Sequence, residues 1–118
     1  MPREFKKYLC DIHEAAVAIF SFTARLDLQQ FAANELVRSA VERKFEVIGE
    51  AITQSRHHHP AEILQLGDLK SVVDFRNHIA HRYHLVSHEI VWDIVRNDLP
   101  PLKTKVESLL DGFDCLAK

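Results

Sequence analysis

Apolar residues return every three or four positions along almost the whole of this chain, and very little interrupts them. Only three glycines and four prolines occur in 118 residues. Long element interiors are therefore favoured over a turn-rich all-β fold, and an all-α architecture is expected. Phe5, Leu9, Ile12, Ala16, Ile19 and Phe20 predict a first helix from about residue 4 to residue 24. Asp27 with Gln30 three residues later resembles a capping box. Asn34 is placed to cap a longer helix to about Ser55, burying Leu36, Val37, Ala40, Val41, Phe45, Ile48 and Ile52. Gly49 inside that helix costs about 1 kcal/mol relative to alanine, so close helix packing is expected there.

Residues 56–67 hold three consecutive histidines, Pro60 and Gly67, and read as a connection with one short turn of helix. Asp68 is placed to cap the next helix. Ser87 is placed to cap a last one, with Ile90, Val91, Ile94, Val95, Leu102, Val106, Leu109 and Leu110 on its inner side. Pro100 and Pro101 should break or kink it, and Asp98 is the alternative start of a new helical segment. Four main helices with short connections predict an antiparallel up-and-down four-helix bundle with a short extra helix or turn. No repeat, low-complexity stretch or linker marks a boundary, so residues 1–118 are read as a single domain.

Fifteen Lys+Arg against seventeen Asp+Glu give a net charge of −2, so the whole-molecule field does not draw in nucleic acid and any such contact must be local. Arg76, His78, His81, Arg82, His84 and His88 supply one local basic patch, which strengthens at slightly acid pH as imidazoles protonate. A solvated helix face is the plainer reading of such a run. Cys10 and Cys115 lie near opposite ends, lack metal-ligand spacing and are too few for a disulfide scaffold, so reduced thiols are expected. The N-terminus lacks a signal-like apolar core, and no run approaches the roughly 20 apolar residues needed to span a bilayer. A soluble, cytoplasmic protein without a membrane partner is the expectation.

One residue breaks the pattern. On a helix, Leu69, Val72, Val73, Phe75, Ile79, Ala80 and Tyr83 form one apolar stripe, and Arg76 falls near its centre. A guanidinium stays charged, so it must pair, snorkel, or face a subunit contact or an anionic ligand. Glu46 and Glu50 are both candidate partners for a purely structural ion pair. His81 lies about 140° from Arg76 on an ideal helix, so the two converge only if the helix ends or loosens near His81, or if a symmetry mate completes the site. Taken alone, a histidine such as His81 is more often packed or capping than catalytic, and Tyr83 reads as a core residue whose hydroxyl reaches water.

The pattern Arg76-x4-His81-x-Tyr83, with Asn77 directly after the arginine, resembles the HEPN domains, and within them the HepT-like toxins of prokaryotic toxin–antitoxin pairs. Two further segments carry the resemblance in the expected order. Ala40-Val-Glu-Arg-Lys-Phe-Glu-Val-Ile-Gly-Glu-Ala51 is similar to the family's second-helix signature, and Glu89-Ile-Val-Trp-Asp-Ile-Val-Arg-Asn-Asp-Leu-Pro-Pro-Leu102 to its last-helix signature. The resemblance implies a metal-independent endoribonuclease without a cofactor, acting as a homodimer whose motif helices line a shared cleft. It also implies a minimal nucleotidyltransferase antitoxin that attaches AMP to Tyr83.

The residue types suit that chemistry. Metal-free RNA cleavage needs a group to take the 2′-hydroxyl proton, and an imidazole, with an ordinary pKa of about 6.5, gives His81 that role. Charge builds on the phosphoryl oxygens, and the planar fork of Arg76 can bind two of them. Asn77 is expected to orient His81 or the phosphate. His78, Arg82 and His84 are read as RNA-binding, although His78 stands among residues that are usually apolar in the family and His84 after the tyrosine is a further departure from its pattern. A 2′,3′-cyclic phosphate end is the expected product. The alternative is a non-catalytic helical module that binds a nucleotidyltransferase partner or a nucleotide. A third reading takes His57, His58 and His59, or His78, His81, His84 and His88, as metal ligands, but no cysteine or carboxylate pattern completes a recognisable site.

Overall fold

The computed structural model describes residues 1–80 and 87–116, apart from the side chains of residues 71, 75 and 78–80. Every regular element among the described residues is helical. In chain order these are α1 (Arg3–Thr23), α2 (Leu28–Ala33), α3 (Glu35–His58), a 3₁₀ turn (Glu62–Leu66), α4 (Lys70–Ala80), α5 (His88–Asp93), a π-helical turn (Ile94–Asp98) and α6 (Leu99–Leu110). The fold is thus the expected all-α bundle, with α2 and the 3₁₀ turn as its short extra pieces.

Local chemistry sets most of the boundaries. Asp27 and Gln30 make the reciprocal capping box, with Gln30 N–H donating to Asp27 Oδ1 at 2.7 Å and Asp27 N–H to Gln30 Oε1 at 2.9 Å. Asn34 Oδ1 accepts from Val37 N–H at 3.0 Å, Asp68 Oδ1 from Lys70 N–H at 2.9 Å and Ser87 Oγ from Glu89 N–H at 3.1 Å. Helix α3 runs past Ser55 to His58 and so absorbs two of the three histidines expected in the connection. It stops where Pro60 disfavours helical backbone at the preceding residue, and His59 leaves the helix at φ −137°.

Helices α1 and α3 pack antiparallel along their lengths and bury Phe5, Leu9, Ile12, Ile19, Val41, Phe45, Ile48 and Ile52 between them and their neighbours. His59, at the end of α3, sits 5.7 Å from the Phe5 ring at the start of α1. The short α2 packs on α5 through Phe31 and Trp92, whose rings lie 5.2 Å apart. Arg96 locks this corner, stacking 4.3 Å over Trp92 and donating to the Leu26 carbonyl at 3.0 Å.

The two prolines neither break nor sharply interrupt the last helical run. Each lacks the N–H of an ordinary helical bond, and each ring would clash with the carbonyl four residues back. The π turn relieves this, since Leu99 N–H reaches the Ile94 carbonyl five residues earlier and both prolines enter the first turn of α6. Asp98 precedes α6 in helical backbone and without a side-chain cap bond, so it marks the end of the π turn and does not start a separate helix.

Three further expectations need correction. Leu36 is 81 % exposed, because the buried stripe of α3 runs through Val41, Phe45, Ile48 and Ile52, and Leu36 lies about 140° from Val41. Ile90 is 56 % exposed, because Val91 and Trp92 take the positions facing the core and α2 in the first turns of α5. The cysteines are not separate thiols. Asp111 and Gly112 adopt left-handed backbone after α6 (φ 42° and 77°), and the turned-back tail brings Cys115 onto α1, where it is disulfide-bonded to Cys10.

Candidate active site

Leu69, just before α4, and Val72 within it are buried and Val73 packs against the core, so the face expected to be apolar does meet the bundle. Arg76 continues that face one turn beyond Val72. It fits because the facing residue on α3 is Gly49. A Cβ at position 49 would lie 2.5 Å from Arg76 Cβ and 2.0 Å from its Cγ, so the arginine stem rests on bare backbone. The close packing expected at Gly49 is therefore a contact with Arg76 itself.

Beyond the glycine, the guanidinium emerges at the edge of the α3–α4 seam. Its Nη2 donates to Glu50 Oε2 at 3.1 Å and its Nη1 to Asn77 Oδ1 at 3.4 Å, with the side chain 27 % exposed. Glu50 is itself held, its Oε1 accepting from Gln54 Nε2 at 2.9 Å. Of the two carboxylates open to Arg76 from the sequence, Glu50 takes it, while Glu46 pairs with Arg43 at 3.2 Å. Arg76 is thus paired without being sealed. Among the described residues two of its five N–H donors are engaged, which leaves three without a partner there.

On the α1 side, Glu50 and Gln54 also line an open groove of about 220 Å³ with Tyr8, Asp11, Glu46 and Ala51. The Asp11 carboxyl is held above the usual range, first by burial and then by the charge of Glu14. The carboxylate of Glu50 therefore links this groove to the arginine.

The structure brings together two of the residues singled out in the sequence, Arg76 and Asn77. His78 lies on α4, with its side chain outside the description. His81, Arg82, Tyr83 and His84 lie outside the described residues. His88 opens α5 and is exposed. The histidine tract does not form a common face: His57 and His58 meet edge to face at 4.7 Å, whereas His59 turns inward against Phe5 and Tyr8. Among the described residues no group of three or more His, Cys, Asp or Glu could hold a metal ion, and no helix is long and apolar enough to cross a membrane.

The sequence is similar to those of known proteins. Over 105 residues the chain is 33% identical to a Methanocaldococcus jannaschii protein named "Putative RNase", covering 89% of this chain and 95% of that protein. It is 34% identical over 113 residues to "Probable ribonuclease HepT" of Thermococcus cleftensis, covering 92% of this chain and 98% of that one. No solved structure matches significantly. The family model described as "Ribonuclease HepT-like" matches residues 12–109, a span that includes Gly49, Glu50 and the whole stretch from Arg76 to Tyr83. The chain belongs to the HepT-like ribonuclease family.

Proposed function

We propose that this ribonuclease-family chain is a metal-independent endoribonuclease of a toxin–antitoxin pair, cleaving RNA at a site built from Arg76 and His81 in a homodimer. The observation that carries the reading is the presentation of Arg76. Its stem is seated on Gly49, its head is anchored on one side, and among the described residues three of its N–H donors have no partner at the seam edge. A guanidinium placed for structure alone would be expected to spend its donors inside the protein.

In this reading His81 takes the proton from the ribose 2′-hydroxyl, and the freed oxygen attacks the adjacent phosphorus. Arg76 binds the phosphoryl oxygens as negative charge grows on them. The P–O5′ bond breaks, leaving a 2′,3′-cyclic phosphate on one fragment. The departing 5′-oxygen takes a proton from a second imidazole, which a two-fold axis supplies as the His81 of another copy. Asn77, in contact with Arg76, supports the fork. His78, Arg82 and His84 add local positive charge for the RNA backbone, which the net charge of −2 does not provide.

Tyr83 is the proposed control point. Transfer of AMP from ATP to its hydroxyl by a nucleotidyltransferase antitoxin, with release of pyrophosphate, would place a phosphodiester beside Arg76 and His81. That group would occupy the anion site and repel RNA. The reading is tested by cleavage of total RNA with unmodified protein and with Tyr83→Phe. Both should cleave, and only the wild type should be silenced by the partner and ATP. A Tyr83→Phe protein silenced as fully as the wild type would overturn the role of Tyr83.

A further inference from the structure

We propose that Glu50 is a positioning residue for the ribonuclease reaction, fixing the direction in which Arg76 presents its free N–H donors. The inference rests on the reading of Arg76 as the group that binds the scissile phosphate. An arginine side chain carries about 2 kcal/mol of rotamer entropy, and its head swings freely unless something beyond the stem holds it. Gly49 fixes the stem, and the next residue of α3 holds the head at 3.1 Å. Adjacent positions on one helix thus define both ends of the arginine.

The anchor is itself oriented. Gln54, one turn further along α3, holds the other carboxylate oxygen of Glu50 at 2.9 Å. Glu46, one turn earlier on α3, pairs with Arg43 instead. The Arg76–Glu50 pair also has little to offer stability: with side chains 27 % and 54 % exposed it is a solvent-screened pair. Alignment of the fork is the function left for it. The carboxylate is electrostatically unfavourable for RNA, since it offsets the arginine's charge near a phosphate. A residue that lowers affinity for RNA while directing the catalytic donor gives a distinctive kinetic signature.

The experiment compares Glu50→Ala, Glu50→Gln, Gln54→Ala and Arg76→Ala with the wild type, using total RNA and one defined RNA oligonucleotide that the wild type cuts, with thermal melts of each protein. Glu50→Ala should lower kcat by about 10- to 100-fold, the scale expected for misplacing a catalytic group by about 1 Å, with KM unchanged or lower. Glu50→Gln keeps an acceptor oxygen in place and should recover most of the lost kcat. Gln54→Ala should produce a smaller fall in the same direction, and it decides the matter if Glu50→Ala fails to fold. A Glu50→Ala protein that cleaves like the wild type, or one whose loss Glu50→Gln does not relieve, overturns the positioning role. Should Arg76→Ala itself cleave normally, the fault lies in the reading of Arg76, and the two failures are distinguishable.

Discussion

Replacement of Gly49 by alanine tests the seat of the arginine through both stability and activity. The added methyl would lie 2.5 Å from Arg76 Cβ, an atom fixed by the α4 backbone, and 2.0 Å from Cγ. Carbon atoms in contact prefer about 3.5–4.0 Å, so a change of side-chain rotamer cannot relieve the clash and α4 must move outward by about 1 Å. Overpacking of this kind costs about 1–3 kcal/mol, while alanine regains about 1 kcal/mol of helix propensity. The net loss is then roughly 0–2 kcal/mol, or at most about 10 °C in Tm for a chain of this size, and the protein stays folded at 25 °C. Activity should suffer far more, by about 100-fold, because the displaced atoms carry the catalytic fork. Differential scanning fluorimetry and RNA cleavage on the same preparation check both arms. If Arg76 does not sit on Gly49, alanine should instead raise Tm by its propensity gain and leave cleavage intact, and that result would refute the packing argument.

Two further outcomes follow from contacts away from the site. The Cys10–Cys115 bond joins residues 105 apart in sequence, and loop entropy assigns a cross-link of that span about 4–5 kcal/mol. Protein purified without reductant should resist alkylation and lose Tm on addition of a thiol reductant, and a pair of alkylatable thiols in the untreated protein would contradict the bond. Glu107 is held below the usual carboxylate range by the hydrogen bond from His13 and then by that from Lys103. A depressed acid stabilises the fold above its unfolded value of 4.5 and loses that contribution as pH falls through the folded value. Glu107→Gln should therefore flatten the acid limb of a pH-dependent melting series, and an unchanged limb would remove Glu107 from it.

The features legible in the sequence are those set by neighbouring residues. The caps at Asp27, Asn34 and Ser87 are local hydrogen bonds, and the residues that make them are the ones the spacing identified. Leu36 falls outside the stripe that α3 buries, and Ile90 lies beside Val91 and Trp92, which take the covered positions; which apolar residues of a helix meet a neighbour depends on where that neighbour sits, and periodicity alone does not say. The disulfide depends on how the tail turns back on α1, which a separation of 105 residues conceals. Pro100 and Pro101 announced trouble for the last helix, but the widening of one turn to admit them is a property of the packed run.

At the site, Arg76 stood out as a charge in an apolar stripe, and Gly49 as a glycine needing a reason. That each explains the other required the register of α4 against α3. The same register decided between Glu46 and Glu50, which lie one turn apart on the same helix. His81 and Tyr83 are identified by their spacing from Arg76 and by resemblance, and they lie outside the described residues.

The proposed chemistry is tested most directly by incubating total RNA with purified protein in excess chelator, comparing wild type with Arg76→Ala and His81→Ala and analysing the fragment ends. Intact mass should first establish that Tyr83 carries no adduct. Chelator-resistant cleavage by the wild type, loss of cleavage in both variants and fragments ending in 2′,3′-cyclic phosphate are expected. Cleavage that requires a divalent metal, or that survives His81→Ala undiminished, would contradict the assignment of Arg76 and His81 as a metal-independent pair.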